Sequence, residues 1–327
     1  LISDLKECIN LLPASWSGQD LARATSGAAA TLLGKIYLRN HDYANAKTYI
    51  DMVLNSGQYE LESDFKYVWS ENNKYGKEMI FALLHETGNN AAEIACHFGP
   101  SDHPEVPGRW QYYGVSLPFW RSYDKEDPRR EFFYYDYTGD AKRDDQSDYG
   151  FHYMVPEEGV TVVPNDTTKY MQNVATMKYT YDMISDAYYD GRTICIFRLS
   201  DVILCKAEIE NNLNGPAAAL PYLNQIRARA GAPEYGKHNR FPAPSTKETM
   251  NDAILKERGY ELVFEFQRRA DLIRFGKYEE VVNAHLKKLG IAQPTNVTSS
   301  LRYFPYPLND AQLNPNLAAE NPSRLPK

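Results

Sequence analysis

Apolar residues recur at helical spacing within residues 246–275. They step by three, four or seven positions and are Leu255, Leu262, Phe266, Ala270 and Ile273. This spacing predicts one amphipathic helix with a continuous apolar face. Glu257, Glu261 and Glu265 form a second row, and like charges four apart cost an isolated helix a few tenths of a kcal/mol each. The row is therefore either a solvated charged face or a set of buried carboxylates that are paired with groups elsewhere.

Residues 27–54 show the pattern of a pair of antiparallel helices. Leu33, Gly34 and Tyr37 match the first helix of the tetratricopeptide pattern. The small or apolar residues expected on its second helix follow in register, at Ala46, Ile50 and Val53. Small residues at these positions would let the two helices pack closely.

The other segments are less regular. Residues 199–230 repeat the pattern in degenerate form, with Ala207 in the glycine position, and 246–275 with 278–289 predict a third pair. No repeat explains the Gly, Pro and aromatic residues between the first two pairs. Prolines near the C-terminus exclude a long helix there and predict an extended strap.

We therefore predict a mainly α fold with minor β structure. Its core would be a tetratricopeptide-like scaffold of helix-turn-helix pairs, an α–α superhelix, that carries a long irregular excursion rich in aromatic residues. The predicted divisions are a helical repeat at 14–54, irregular ligand loops at 55–195, helical repeats at 196–290 and the strap at 291–327.

Charge argues against a nucleic-acid partner, and hydropathy argues against a membrane-spanning helix. The 36 basic and 43 acidic residues give a net charge of −7 without a basic run, so nucleic acid is an improbable partner. The longest apolar runs fall short of the ~18 residues that a membrane helix needs. The four cysteines match no zinc or redox spacing. Because the chain begins at Leu1 without a signal peptide, we expect a processed or truncated product.

Motifs for catalysis are missing from the sequence. It contains no Gly-x-Ser-x-Gly, no His-Glu-x-x-His and no phosphate-binding glycine loop. A glycosidase needs two carboxylates across a cleft, and the candidates by residue type alone are Glu157, Glu158, Asp136 and Asp182. Any chain this acidic contains such pairs. The aspartates of 136–148 lack the calcium-loop spacing and favour a solvated loop. We expect no enzyme activity, no cofactor and no metal.

Tyrosine is over-represented in the excursion. The chain has 25 Tyr against 13 Phe and 4 Trp, and thirteen of the tyrosines lie in residues 112–189. A tyrosine ring has a flat apolar body and a polar tip, which suits a surface that is both flat and wet. The densest aromatic cluster runs from 97 to 113, and its richest part, 109–113, is flanked by Gly108 and Gly114, so we expect it at a loop tip.

Several motifs follow one another along nearly the whole chain. They are the helix pair of 27–54, Asp127-Pro-Arg-Arg, Phe197-Arg-Leu-Ser-Asp, Glu261-Leu-Val-Phe-Glu through Asp271-Leu-Ile-Arg-Phe-Gly, and Phe304-Pro-Tyr-Pro. Together they resemble the SusD/RagB family of surface glycan-binding lipoproteins from Bacteroidetes. Gln267-Arg-Arg-Ala departs from the usual step of that family and should alter packing there.

The resemblance implies a tetratricopeptide-like scaffold with ligand loops on one face. Residues 1–327 would be a single SusD-like domain, the C-terminal portion of a longer protein. The implied function is non-catalytic binding of oligosaccharide or polysaccharide and delivery to a SusC-like TonB-dependent transporter. The implied location is the outer-membrane surface, through an N-terminal lipid anchor that is absent from this chain.

Sugar rings present flat C–H faces that stack on aromatic rings, while polar neighbours bind the hydroxyls. We therefore predict a glycan site made of Trp110, Tyr112, Tyr113, Arg109, Gln111, Phe98 and Trp120. The alternative is that these aromatics fix their own loop to the scaffold. For Trp120, the three-residue spacing to Tyr123 favours that packing role.

Two other functions stay open. A tetratricopeptide-type scaffold would bind peptide in its repeat groove, through residues such as Tyr37 or Arg39. A glycoside hydrolase is the third candidate and the least supported.

Overall fold

The computed structural model describes residues 1–88, 92, 94–100, 103–106, 110–139, 151–158, 168–182, 191–289, 297–298, 304, 306–314 and 316. The chain divides into two compact units, Leu1–Glu265 and Phe266–Lys327. The helices of the first unit are α1 (Ile2–Leu11), α2 (Ser26–Arg39), α3 (Tyr43–Leu54), α4 (Ile94–Phe98), α5 (Leu117–Trp120), α6 (Leu199–Asn214), α7 (Pro216–Arg229) and α8 (Lys247–Glu261). Those of the second unit are α9 (Arg268–Arg274), α10 (Tyr278–Lys288) and α11 (Leu308–Leu313).

Helices α2 and α3 form the first predicted pair. A Cβ on Gly34 would lie 2.9 Å from Ile50 Cδ1, so the glycine of the pattern allows the two helices to approach closely. Thr25 and Asp42 are their N-caps, and each side chain accepts a backbone N–H of the first turn. The predicted core positions are all buried: Leu33, Ala46, Ile50 and Val53. The first helix pair is confirmed.

Helices α6, α7 and α8 form the second helical layer. α6 is buried along most of its length and packs against α3, α7 and α8. Its buried Asp201 is paired with Arg258 of α8 at 2.7 Å and with Lys35 of α2. Gly215, at φ +91°, ends α6, and Pro216 begins α7. The second pair is therefore also present, with ionic as well as apolar contacts.

Short strands organise the excursion between the two helical pairs. They are β1 (Met79–Leu83), β2 (Val115–Ser116), β3 (Phe133–Tyr134), β4 (Asp136–Thr138), β5 (His152–Met154), β6 (Thr168–Tyr170), β7 (Asn173–Thr176) and β8 (Ile194–Arg198). β1 pairs with β8 antiparallel, β7 lies between β2 and β3, and β5 lies between β4 and β6. The predicted minor β structure is thus confirmed.

The helix predicted across residues 246–275 is interrupted. α8 ends at Glu261, and residues 262–267 are not helical. The carbonyl of Glu261 accepts hydrogen bonds from Lys178 Nζ at 2.9 Å and Arg198 Nη2 at 2.8 Å. In a continuing helix that carbonyl would accept the amide of Glu265, which here donates to the carbonyl three residues before it. The prediction of one continuous helix was wrong, because cations from distant segments replace the helical bond.

A network of buried charges surrounds the C-terminal end of α8. It has as many carboxylates as cations, and each side chain is at most 5% exposed: Glu78, Asp127, Glu257, Glu261 and Glu265, with Arg129, Lys178, Arg198, Arg227 and Arg229. Glu261 lies at its centre. Its carboxylate contacts Arg198 at 2.7 Å, Arg129 at 3.0 Å and also Arg229. Arg198 holds Glu265 in a bidentate contact of 2.6 and 2.9 Å.

This network joins segments that are far apart in sequence. Its members come from the residue before β1, the turn after α5, the segment after β7, the end of β8, helices α7 and α8, and the segment that follows α8. An uncompensated buried charge is costly, so each of these segments needs its partners in place. The glutamate row of the sequence is therefore confirmed as a set of buried, paired carboxylates that connect the excursion to the scaffold.

In the second unit, Arg274 and Asp271 of α9 form an ion pair of 3.0 Å. Helix α11 covers six residues of the segment predicted to be an extended strap, so the strap is not extended there. Most of the rest of that segment lies outside the described residues. Among the helices that the structure describes, none has the length and apolarity needed to cross a membrane.

Replacing Glu261 by Gln should lower the free energy of unfolding by about 3–5 kcal/mol, because three buried arginines then lose a shared charge. Urea denaturation measures this change. The control is Glu60→Gln, which removes a surface partner of Lys77 and should have far less effect. Equal stabilities of the two variants would show that the network does not stabilise the fold.

Acid should destabilise the protein through the same carboxyl. Burial alone would raise the pKa of Glu261, but Arg229, Arg198 and Arg129 outweigh it and hold that pKa well below the usual 4.5. A carboxyl with a lowered pKa stabilises the fold above its unfolded-state pKa of ~4.3, and this contribution is lost as pH falls below it. We expect the melting temperature to fall between pH 6 and pH 3, and to fall less in Glu261→Gln. Parallel pH profiles would contradict the assignment.

Candidate ligand-binding site

The predicted aromatic loop is attached to helix α4 by its backbone. The amide of Trp110 donates to the carbonyl of Cys96 at 2.7 Å, and the amide of Tyr113 donates to the carbonyl of His97 at 3.2 Å. Cys96 is fully buried, so the loop is bonded to a core helix. These bonds fix the course of residues 110–113 across the end of α4.

Three rings of this loop are exposed, and we call Trp110, Tyr112 and Tyr113 the aromatic platform. Their exposed fractions are 40%, 65% and 54%. The rings of Trp110 and Tyr112 lie 5.3 Å apart and are inclined by 34°. The His97 ring makes a T-shaped contact with each of them, and the centroid distances are 5.0 Å to Trp110 and 5.6 Å to Tyr112. The platform is thus a small aromatic surface that its own neighbours support before any ligand arrives.

A polar contact to strand β7 orients the loop. Gln111, the residue between two platform rings, has φ +49° and donates from Nε2 to Asn173 Oδ1 at 3.2 Å. A Cβ on Gly114 would collide with the same Asn173 side chain, so a larger residue there would displace Asn173. Asn173 therefore positions the loop, although it lies 62 residues away from Gln111 in the sequence. No sequence signal pointed to it.

Two predicted site residues are core residues. Phe98 is 5% exposed and packs on Tyr113 at 5.2 Å and on Phe264 at 5.1 Å. Trp120 is also 5% exposed, and Arg130 covers its ring at 4.1 Å. Neither ring has a face open to a ligand. We correct both assignments: Phe98 supports the platform from below, and Trp120 packs as the alternative interpretation expected.

The structure brings Trp110, Gln111, Tyr112 and Tyr113 together, whereas predicted Arg109 lies outside the described residues.

Of the carboxylates considered for catalysis, Asp136 pairs with His152 at 2.7 Å. Asp182 accepts the Ser70 hydroxyl at 2.5 Å and the Glu71 amide at 3.2 Å. Residues 140–148 of the acidic loop are not among those described. No cluster of three or more His, Cys, Asp or Glu within the described ranges is arranged to hold a metal.

Comparison with known proteins identifies relatives. The sequence model described as SusD family matches residues 77–323. SusD-like protein P25 of Formosa agariphila is 26% identical over 96% of this chain and 62% of its own length. SusD-like protein P2 of the same organism is 25% identical over 98% of this chain and 64% of its own. The chain thus spans less than two thirds of either relative.

Solved structures show the same fold. Surface glycan-binding protein A from Bacteroides thetaiotaomicron, in complex with laminarihexaose, superposes with a TM-score of 0.71 at 22% identity. The match covers 95% of this chain and 67% of that one. At this identity the likeness establishes the fold, and it confirms the helical architecture predicted from the sequence.

Removing the Asn173 side chain should loosen the platform. In Asn173→Ala the Gln111 amide loses its acceptor, a bond worth about 0.5–1.5 kcal/mol, so amides of residues 110–113 should exchange hydrogen up to about tenfold faster. Asn173→Asp keeps an acceptor oxygen and should leave the exchange close to wild type. Identical exchange in the two variants would mean that Asn173 does not position the loop.

Proposed function

The chain belongs to the SusD family, and from this membership we propose that it binds saccharides without catalysis through the aromatic platform. The observation that carries the proposal is the set of three exposed rings held by backbone bonds to α4. Exposed aromatic groups that are rimmed by polar atoms mark interaction sites. The names of the relatives support binding rather than hydrolysis, since the structural relative described above is a glycan-binding protein.

The geometry suits stacking against sugar rings. A fixed ring loses little conformational entropy when a ligand packs on it, so more of the contact energy contributes to affinity. Trp110 supplies the largest apolar face, and the hydroxyls of Tyr112 and Tyr113 donate to or accept from sugar hydroxyls. Laminarihexaose is the first probe to try, because it is the ligand in the complex of the relative with the same fold.

Location and partner are further parts of the proposal. The family resemblance supports a protein on the outer-membrane surface that delivers saccharide to a SusC-like TonB-dependent transporter. A lipid anchor, which the resemblance also implies, would hold the protein at that surface. Co-purification of the whole protein with a transporter from outer membranes tests this part separately from saccharide binding.

A peptide-binding scaffold is the second candidate. A groove of about 460 Å³ lies between α3, α6 and α7, with Tyr222, Ile203 and Leu54 among its apolar residues. Tyr37, which the sequence offered for this role, is stacked on Tyr49 at 5.7 Å and thus serves packing within the first pair. Peptide binding therefore has a groove in its favour, and of the two residues offered for it Tyr37 serves packing whereas Arg39 is exposed.

Replacing Trp110 by Ala should weaken binding of laminarihexaose, or of the best ligand on a glycan array, by about tenfold or more. Such a loss corresponds to about 1.4 kcal/mol, which is reasonable for one stacked aromatic ring. Isothermal titration calorimetry measures it. Tyr75→Ala is the matched control, since Tyr75 is 57% exposed but lies outside the platform.

Unchanged affinity in Trp110→Ala would remove the platform from the site. The absence of binding to any glycan on the array would refute the saccharide assignment altogether. Shortened products after prolonged incubation with the bound glycan would establish hydrolysis and contradict the non-catalytic role.

A further inference from the structure

A second cleft lies in the excursion, and no platform residue lines it. Its volume is about 560 Å³, within the range of ligand pockets in proteins. Its walls are formed by residues 103, 105–106, 131, 133–136, 177 and 180–182. It is therefore large enough to bind one or two sugar residues.

Tyrosines form part of the wall, and their own contacts hold them in place. The hydroxyl of Tyr134 shares a hydrogen bond of 2.8 Å with Thr180 Oγ1, and its ring meets the His103 ring edge-on at 4.9 Å. The Tyr181 ring packs against Phe132 at 5.5 Å. Half-buried aromatic side chains with fixed positions are suited to stacking on a flat ligand, as in the platform.

The charged groups among the described residues of the cleft are carboxylates. Carboxylates come from Glu105, Glu131, Asp136 and Asp182, and no Lys or Arg occurs among the described residues that line the cleft. Burial lowers the pKa of His103, although the Glu105 carboxylate opposes this, so the imidazole is neutral at pH 7. The cleft therefore presents negative charge and accepts hydrogen bonds.

These carboxylates do not converge on one point. In the part of the chain that is described, no three His, Cys, Asp or Glu groups are placed to hold a metal ion. Asp136 and Asp182 are also engaged by His152 and by Ser70, respectively. A carboxylate has about four acceptor positions, so each retains capacity for a further donor. Separate acceptors around tyrosine rings match the separate hydroxyls of a sugar better than they match a cation.

We propose that this cleft is a second saccharide site, selective for neutral or amino sugars and closed to uronic acids and sulfated sugars. Sugar hydroxyl or ammonium groups donate to the carboxylates in charge-assisted hydrogen bonds. An anionic sugar meets like charge, and the described residues that line the cleft offer it no Lys or Arg. The inference rests on the proposed function only in taking the ligand to be a saccharide.

The test removes the platform first. In Trp110→Ala/Tyr112→Ala, three hexasaccharide probes are titrated at millimolar concentration by saturation-transfer NMR: laminarihexaose, a glucosamine hexasaccharide and a galacturonate hexasaccharide. We expect residual binding of the neutral and amino probes and none of the galacturonate probe. Adding Tyr134→Ala should weaken this residual binding at least about tenfold, whereas adding Tyr75→Ala should leave it unchanged.

A further variant tests whether the negative charge of the cleft excludes anionic sugars. Added to Trp110→Ala/Tyr112→Ala, Glu105→Gln removes an exposed negative charge of the cleft and should make binding of the galacturonate probe detectable, while the affinity for laminarihexaose changes by less than about twofold. Circular dichroism and melting temperature verify that each variant is folded. Glu105→Gln thus distinguishes a charge effect from a loss of structure.

The proposal is overturned if the platform double variant binds none of the probes, if Tyr134→Ala leaves the residual binding unchanged, or if galacturonate binds best. One further result would distinguish a failure of the platform assignment from a failure of the cleft proposal. If the double variant binds laminarihexaose as tightly as wild type and Tyr134→Ala abolishes the binding, the platform assignment fails and the cleft is the saccharide site.

Discussion

The contact of Glu261 with three arginines is the constraint on which the rest of the first unit depends. Because its carboxylate and its carbonyl both bind cations from other segments, α8 must end there. The chain then turns, and Phe264 reaches Phe98 at 5.1 Å. Phe98 in turn supports Tyr113 of the platform at 5.2 Å. A short series of contacts thus connects the ionic network of the scaffold to the surface proposed to bind ligand.

Sequence periodicity was sufficient for the helical pairs, since Gly34 and its neighbours meet the packing requirement within 30 residues or so of chain. It also identified the glutamate row, because like charges four apart need partners. The break after Glu261 was not predictable, since Lys178 and Arg198 displace the helical bond from distant positions. Local spacing cannot show which carbonyl a remote cation will bind.

The candidate site, too, has features that local sequence predicts and features that depend on distant residues. An aromatic-rich loop flanked by glycines was recognisable, and the structure exposes Trp110, Tyr112 and Tyr113 as that pattern indicated. Residue type did not separate these rings from Phe98, which is buried beneath them. The role of Asn173 and the existence of the tyrosine-lined cleft depend on strands from different parts of the excursion coming together. Exposure and long-range contact, rather than composition, decide which aromatics are available to a ligand.

The buried network should join the excursion and the helical scaffold into one cooperative structure. Native-state hydrogen exchange in increasing urea tests it most directly, by comparing the amide of Met177, bonded to the Phe132 carbonyl, with that of Leu262, bonded to the Arg258 carbonyl. Both amides should open with the same free energy and the same urea dependence. Opening of Met177 at a free energy several kcal/mol lower, with a small urea dependence, would contradict it.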